Sequence, residues 1–274
     1  MIDLHVHTTA SDGVKSPSEV VEYAKKIGIK ALAITDHDTL DGIAEARQAG
    51  DRLGVRVVAG CEFSVAVSWG ELHLLGYFLP EDDETLAGMF RHQRESRAER
   101  AAKMIQRLEA YGAPPLEETV LKFAAGAPIG RPHIARALVE LGWISSVQDA
   151  FVEYLADGAP AYMPKELPAL ADVVSLIREL NGVTSAAHLK GRATEAVIRD
   201  LHTMGVDALE VVHPTHQKQH KDQLTAMAEK FGMLKTGGSD WHGDEQRSRQ
   251  LGNPEVPVEW LDQVEACHLD RLDA

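Results

Sequence analysis

The stretch Ile2-Asp3-Leu4-His5-Val6-His7 decides how this chain is read. Apolar and polar side chains alternate along it with the two-residue period of a strand, which puts His5 and His7 on one face. Two imidazoles side by side on a strand are either polar decoration or a pair of metal ligands. Ser11-Asp12-Gly13 follows closely, and Asp12 there either makes a turn or adds a carboxylate to the pair.

Working outward, short β-like runs alternate with helical ones. Strands are expected at 2–6, 31–35, 55–61, 71–78, 182–187, 208–212 and 233–236. Between them lie helical patterns at 18–27, 40–53, 169–180, 194–204 and 217–231, the first opened by Ser16-Pro17. This order implies βα units around a largely parallel sheet or barrel, with strands three and four joined as a hairpin through Ser68-Trp69-Gly70. From 83 to 155 the pattern is helical throughout, at 83–111, 116–123, 133–141 and 147–155. The expected organisation is therefore a barrel of residues 1–82 and 156–274 with a helical insertion, 83–155.

Laying the polar residues over this map exposes a pattern. Strand two runs into Thr35-Asp36-His37-Asp38, strand three into Glu62, and strand four contains His73. Strand five leads to His188, strand six to His213, and strand seven to Asp240 and His242. In a βα barrel the C-terminal strand ends share one mouth. Each residue has a plainer reading: Asp36 or Asp38 as a helix cap, Glu62 or His73 as a lone hydrogen-bonded or surface group. Their coincidence at six or seven strand ends is not explained that way. Crowded imidazoles and carboxylates leave charge uncompensated unless cations sit among them. Nitrogen and oxygen donors without sulfur suit Zn²⁺, Mn²⁺ or Fe²⁺, and Cys61 and Cys267 have no CxxC partner.

Composition narrows the function. A net charge of −14 argues against gripping long nucleic acid through a basic face, yet bound cations can invert the potential locally for a small anionic substrate. No basic leader precedes an apolar run, and no apolar stretch is long enough to span a bilayer, so a cytoplasmic enzyme without membrane partners is expected. No GxSxG or comparable nucleophile motif is present.

These motifs resemble the polymerase and histidinol phosphatase (PHP) family of metal-dependent phosphoesterases. The resemblance runs through Asp3–Thr8, Ser11-Asp12-Gly13, Thr35–Asp38, Glu62, His73, His188 and Asp240-Trp241-His242. It implies a distorted seven-stranded (β/α)7 barrel holding two or three divalent ions, Mn²⁺ first, with Zn²⁺, Fe²⁺ or Mg²⁺ as alternatives. His5, His7, Glu62 and Asp240 would surround the first ion and carry catalysis through a metal-bridging hydroxide. Glu62, His73 and His188 would hold a second, and Asp12, His37 and His242 a third. The insertion, Gly130-Arg131-Pro132-His133 and the Tyr162 to Lys165 segment are similar to a bacterial subgroup. It comprises 3′,5′-nucleoside bisphosphate phosphatases and enzymes that trim RNA from its 5′ end.

That subgroup implies substrate contacts at Arg131, His133 and Lys165, and His213 or His216 is a candidate donor to the leaving group. The plainer readings are a surface ion pair for Arg131 and a helix-start position after Pro132 for His133. The implied reaction removes the 3′-phosphate of a nucleotide such as adenosine 3′,5′-bisphosphate. Stepwise trimming of short RNA and hydrolysis of histidinol phosphate are the alternatives within the same chemistry. C–N hydrolysis and a non-enzymatic metal-binding module are those outside it.

Overall fold

Strand β1 (Ile2–Val6) is buried on both faces, with Ile2, Leu4 and Val6 on one and Asp3 and His5 on the other. Six strands follow: β2 (Ala31–Ile34), β3 (Arg56–Val67), β4 (Gly70–Tyr77), β5 (Val183–Ala186), β6 (Ala208–Val212) and β7 (Leu234–Gly237). Each pairs with its neighbours in chain order. β1, β2 and β3 are parallel, β4 is antiparallel to both β3 and β5, and β5 to β7 are parallel again. Beyond β7 the chain returns to β1: the Asp240 amide donates to the His5 carbonyl, and the His7 amide to the Trp241 carbonyl, both at 2.9 Å. The seven strands thereby close into a distorted barrel.

The computed structural model describes residues 1–243 and 249–274. Its helices are α1 (Pro17–Ile27), α2 (Ile43–Leu53), α3 (Glu84–Ala110), α4 (Glu117–Ala124), α5 (Arg131–Glu140), α6 (Val147–Ala150), α7 (Leu170–Glu179), α8 (Glu195–Thr203), α9 (Lys218–Phe231) and α10 (Val258–Leu272). α1 shows how locally these are specified. Ser16 accepts from the Glu19 amide, the Glu19 carboxylate accepts from the Ser16 amide, and Pro17 occupies the first helical turn. Among the described residues no helix is long and apolar enough to cross a membrane.

The chain divides into two compact units. One, Met1–Asp82 with Leu167–Ala274, contains all seven strands; the other is Asp83–Glu166. The second has its own core, in which Met104, Leu108, Leu116, Val120, Ile134 and Leu138 are buried. It reaches Glu166, whereas the helical pattern alone ends at 155. Residues 156–166 carry no helix, but Ala161 is buried in that core. The carbonyls of Tyr162 and Met163 accept from Arg107 and Arg100 at 2.8 and 2.7 Å.

Helix α10 was not expected from the sequence, and β3 differs in length from the expectation. β3 does not stop at Cys61 but continues to Val67. Its pairing with β2 ends at Ala59, and its pairing with β4 carries it on, so Glu62 lies inside a strand rather than at its end. As the expected hairpin requires, β4 runs the opposite way to β3, which is why His73, opposite Ser64, sits early in its strand.

Candidate metal centre

Glu62 is the hub of the site. It is 1% exposed and has five imidazoles around it. Its Oε1 lies 2.8 Å from His73 Nδ1 and 3.0 Å from His188 Nε2. Its Oε2 lies 3.2 Å from His7 Nε2, 3.2 Å from His37 Nδ1 and 3.4 Å from His5 Nε2. These rings come from β1, the loop after β2, β4 and the loop after β5, so closure of the barrel is what assembles them.

Asp240 and Asp12 extend the cluster. Asp240 Oδ1 is 3.3 Å from His7 Nε2 and 3.5 Å from His5 Nε2, and its Oδ2 is 3.2 Å from His213 Nε2. Asp12 Oδ1 is 3.3 Å from His242 Nε2, and the rings of His242 and His7 stack at 4.2 Å. His5 and His7 are fully buried, while His37, His73, His188 and His242 are half-buried. The cluster is thus deep at β1 and open at its other side, as a site for an incoming substrate must be.

Three buried carboxylates outside this set hold the loops. Asp36 accepts from the Thr8 amide, Thr8 Oγ1 and Ser11 Oγ, fixing the turn that presents Asp12. Asp3 accepts from the amides of Ser239 (2.9 Å) and Gly252 (2.8 Å), fixing the approach to Asp240. Asp38 accepts from the Ser64 amide at 3.2 Å. Backbone strain collects here as well: Asp38, His188 and Asp240 have φ of 50°, 33° and 50°, a region L-residues seldom occupy. Gly238 has no room for a side chain, since a Cβ would meet His5 Cβ at 2.4 Å.

The electrostatics follow from burial and crowding. Burial pushes the Glu62 carboxyl up, but His73, His37 and His5 hold it well below its ordinary 4.5. Asp12 and Asp240 are likewise held well below 3.8 against burial, mainly by His242 and His37 and by His5 and His213 respectively. Burial opposes a proton on His7, yet hydrogen bonds to Asp240 and Glu62 lift it to about 10. His37 goes the other way, to about 3, because burial outweighs its carboxylate neighbours.

The residues fit divalent cations. Among the described residues, Nδ1 of His7 and Nδ1 of His37 are buried without a hydrogen bond, the latter despite lying 3.2 Å from Glu62 Oε2, an arrangement that costs free energy unless something else engages them. Among the described residues, donor atoms gather within 4.8 Å in four overlapping sets: His7, Asp12, His37 and His242; His5, His7 and Glu62; His5, His213 and Asp240; and His37, Glu62 and His73. The grouping differs from the one implied by resemblance: His7 also joins the Asp12 set, Asp240 groups with His5 and His213 rather than with Glu62, and His37 stands with Glu62 and His73 where His188 was expected, His188 falling in none of the four.

Of the expected substrate residues, His213 is buried in this cluster. Its Nδ1 accepts from the Thr215 amide at 3.1 Å, which leaves Nε2, 3.2 Å from Asp240 Oδ2, facing the cluster. His216 is fully engaged, with Nδ1 donating to the Val211 carbonyl at 2.9 Å and Nε2 accepting from the Lys190 amide at 3.3 Å. Arg131, His133 and Lys165 belong to the helical unit. There the Arg131 guanidinium donates to the Leu155 carbonyl at 3.2 Å and lies over the rings of Phe151 and Tyr162, at 5.6 and 5.8 Å. His133 is buried and its Nδ1 accepts from the Gly130 amide at 3.0 Å, capping α5. Lys165 is half-buried in the irregular segment after Tyr162.

Two residues at the cluster carry no sequence motif. Glu210, on β6, is fully buried with its Oε1 2.8 Å from His5 Nδ1. Burial alone would raise its carboxyl, but His5 and His213 bring it to about 2. Arg249 pairs with Asp240 Oδ2 at 3.0 Å. A single Glu amid Ala208–Val212, a strand buried throughout, was the available signal for the first; the second lies in a loop without pattern.

Residues 3–76 match the PHP domain. A 3′,5′-nucleoside bisphosphate phosphatase from Chromobacterium violaceum is 33% identical over 93% of this chain and 91% of its own. The 5′-3′ exoribonuclease Rnm of Escherichia coli is 32% identical over 88% of this chain and 84% of its own. Among solved structures, a Bifidobacterium adolescentis protein assigned as a metal-dependent phosphoesterase superposes with a TM-score of 0.90 at 30% identity, covering 97% of this chain and 96% of the other.

Proposed function

The chain belongs to the PHP family of metal-dependent phosphoesterases, and on that premise we propose that it removes the 3′-phosphate from nucleoside 3′,5′-bisphosphates. The observation that carries this reading is the convergence of six imidazoles with Asp12, Glu62 and Asp240 at one rim of the barrel. Divalent ions held there by these residues, manganese in this reading, would supply Lewis acidity toward phosphoryl oxygens and acidify a water.

The chain's own residues supply the rest. Glu62, Asp12 and Asp240 are anionic across the neutral range and fix where positive charge collects. His213, whose Nε2 faces Asp240 Oδ2 at 3.2 Å, is the residue assigned to the departing 3′-oxygen. Arg131, with its planar fork held by Leu155, Phe151 and Tyr162, is assigned to the second phosphate, since a guanidinium pairs with phosphate in two-pronged fashion. His133 and Lys165 complete that assignment. In this reading the chain is a cytoplasmic nucleotide phosphatase.

The near-equal identity to an exoribonuclease supports a second reading, stepwise 5′-to-3′ trimming of short RNA. Metal-reconstituted protein offered adenosine 3′,5′-bisphosphate, a 5′-phosphorylated RNA pentamer and histidinol phosphate separates the three. Rapid phosphate release from the first supports the proposal. Mononucleotide release from the pentamer with no turnover of the bisphosphate would transfer the assignment to RNA.

A further inference from the structure

Glu210 touches two members of the centre without standing among the donor sets themselves. It lies in the middle of β6, and at 0% exposure it has no access to solvent. Its Oε1 is 2.8 Å from Nδ1 of His5, and its Oε2 accepts from the backbone amide of His188 at 2.7 Å. One carboxylate therefore ties β1 to the loop after β5.

Each contact has a geometric consequence. A carboxylate accepts, so the His5 ring donates from Nδ1 and its lone pair is left on Nε2. Nε2 is the nitrogen that faces Glu62 Oε2 at 3.4 Å and Asp240 Oδ1 at 3.5 Å. At His188 the backbone is in the left-handed region, with φ of 33°. The bond from its amide to Glu210 holds that conformation, in which His188 Nε2 reaches Glu62 Oε1 at 3.0 Å. Removing the carboxylate frees the His5 ring to adopt the other tautomer and releases the His188 turn.

We infer that Glu210 is a positioning residue of the metal centre, fixing the tautomer of His5 and the backbone of His188 so that both imidazoles aim at Glu62. It sets the affinity of the centre for divalent ions without binding one. This rests on the metal-dependent reading above.

The test is Mn²⁺ binding to the full-length chain, by competition with a chromophoric chelator, for the wild type and Glu210→Gln. A glutamine carbonyl can satisfy His5 or the His188 amide but not both. The expected result is Mn²⁺ binding weakened about 10- to 100-fold, the usual cost of losing a partner that orients a ligand, with the circular dichroism of the metal-free protein unchanged. Glu210→Asp, which keeps the charge on a shorter stem, should recover part of the loss. Wild-type affinity in a folded Glu210→Gln protein overturns the inference. Should that variant not fold, the wild type decides alone: in the Zn²⁺-loaded protein, nitrogen-15 NMR should find His5 protonated on Nδ1, and a proton on Nε2 overturns the inference. A wild-type chain that binds no Mn²⁺ at all would sink the metal reading and this inference with it.

Discussion

His7 Nε2 lies 3.3 Å from Asp240 Oδ1, joining the first strand of the barrel to the loop that follows the last. That contact exists only when the barrel is closed. Asp240→Asn keeps the shape of the side chain and removes its charge. It should lower kcat on a bisphosphate at least about 100-fold, the scale of losing one electrostatic stabiliser, with secondary structure retained. A variant with near-normal kcat would remove Asp240 from the centre.

Chelation should abolish phosphate release, and Mn²⁺ should restore it. The same ions should raise the melting temperature, because a ligand at 100 times its Kd adds about 2.7 kcal/mol to the folded state, roughly 5–10 °C for a domain this size. Differential scanning fluorimetry with and without Mn²⁺ measures this directly. An unmoved transition at saturating metal would contradict binding at these residues.

The metal-free protein should be most stable near pH 6.5. His7 is held up at about 10 against an ordinary 6.5, so its contribution is complete below 6.5 and is lost as pH rises through 10. Asp12, Glu62 and Asp240 are held below 3.8 and 4.5, so their contributions are present above those values and lost on acidification. His37, lowered to about 3, contributes fully above 6.5 and progressively less below it. A melting-temperature series from pH 4 to 10 on chelator-treated protein should show this maximum, and a monotonic profile would refute it. Mn²⁺ affinity should meanwhile rise between pH 6 and 8, because binding displaces the His7 proton.

Arg131→Ala should raise KM for adenosine 3′,5′-bisphosphate about tenfold or more, the value of a hydrogen bond to a charged group, and leave hydrolysis of an aryl phosphate nearly unchanged. Equal losses on both substrates would assign Arg131 to the structure of the helical unit instead.

Gly238→Ala should damage the site through packing. The added methyl would press on His5, whose Cβ and amide nitrogen would be 2.4 and 2.5 Å away. Such overpacking costs about 1–3 kcal/mol, and here the displaced atom belongs to the cluster. Chemical denaturation and Mn²⁺ titration should both register it; an unaffected protein would mean that β7 has slack.

The motifs on β1 and after β7 were legible because a two-residue spacing on a strand has a direct geometric meaning. The length of β3 was legible in principle, since Phe63, Val65 and Val67 continue its alternation past Glu62. Helix α10 carries buried Leu261 and Val264 three residues apart on one side, a thinner signal. Glu210 was harder. A lone carboxylate in a short apolar strand looks like an exposed residue until the strand is known to be buried on both faces, and only then must the charge have a partner. The strain at His188 and Asp240 has no sequence signature at all, because neither residue is glycine.

Closure of the barrel has a temporal side. During synthesis His5, His7, His37, Glu62 and His73 leave the ribosome long before Asp240 and His242, so a nascent chain holds the donors of two sets while the others have yet to be made. The sets that take in Asp240 or His242 are thereby completed only when the chain beyond β7 has returned to β1.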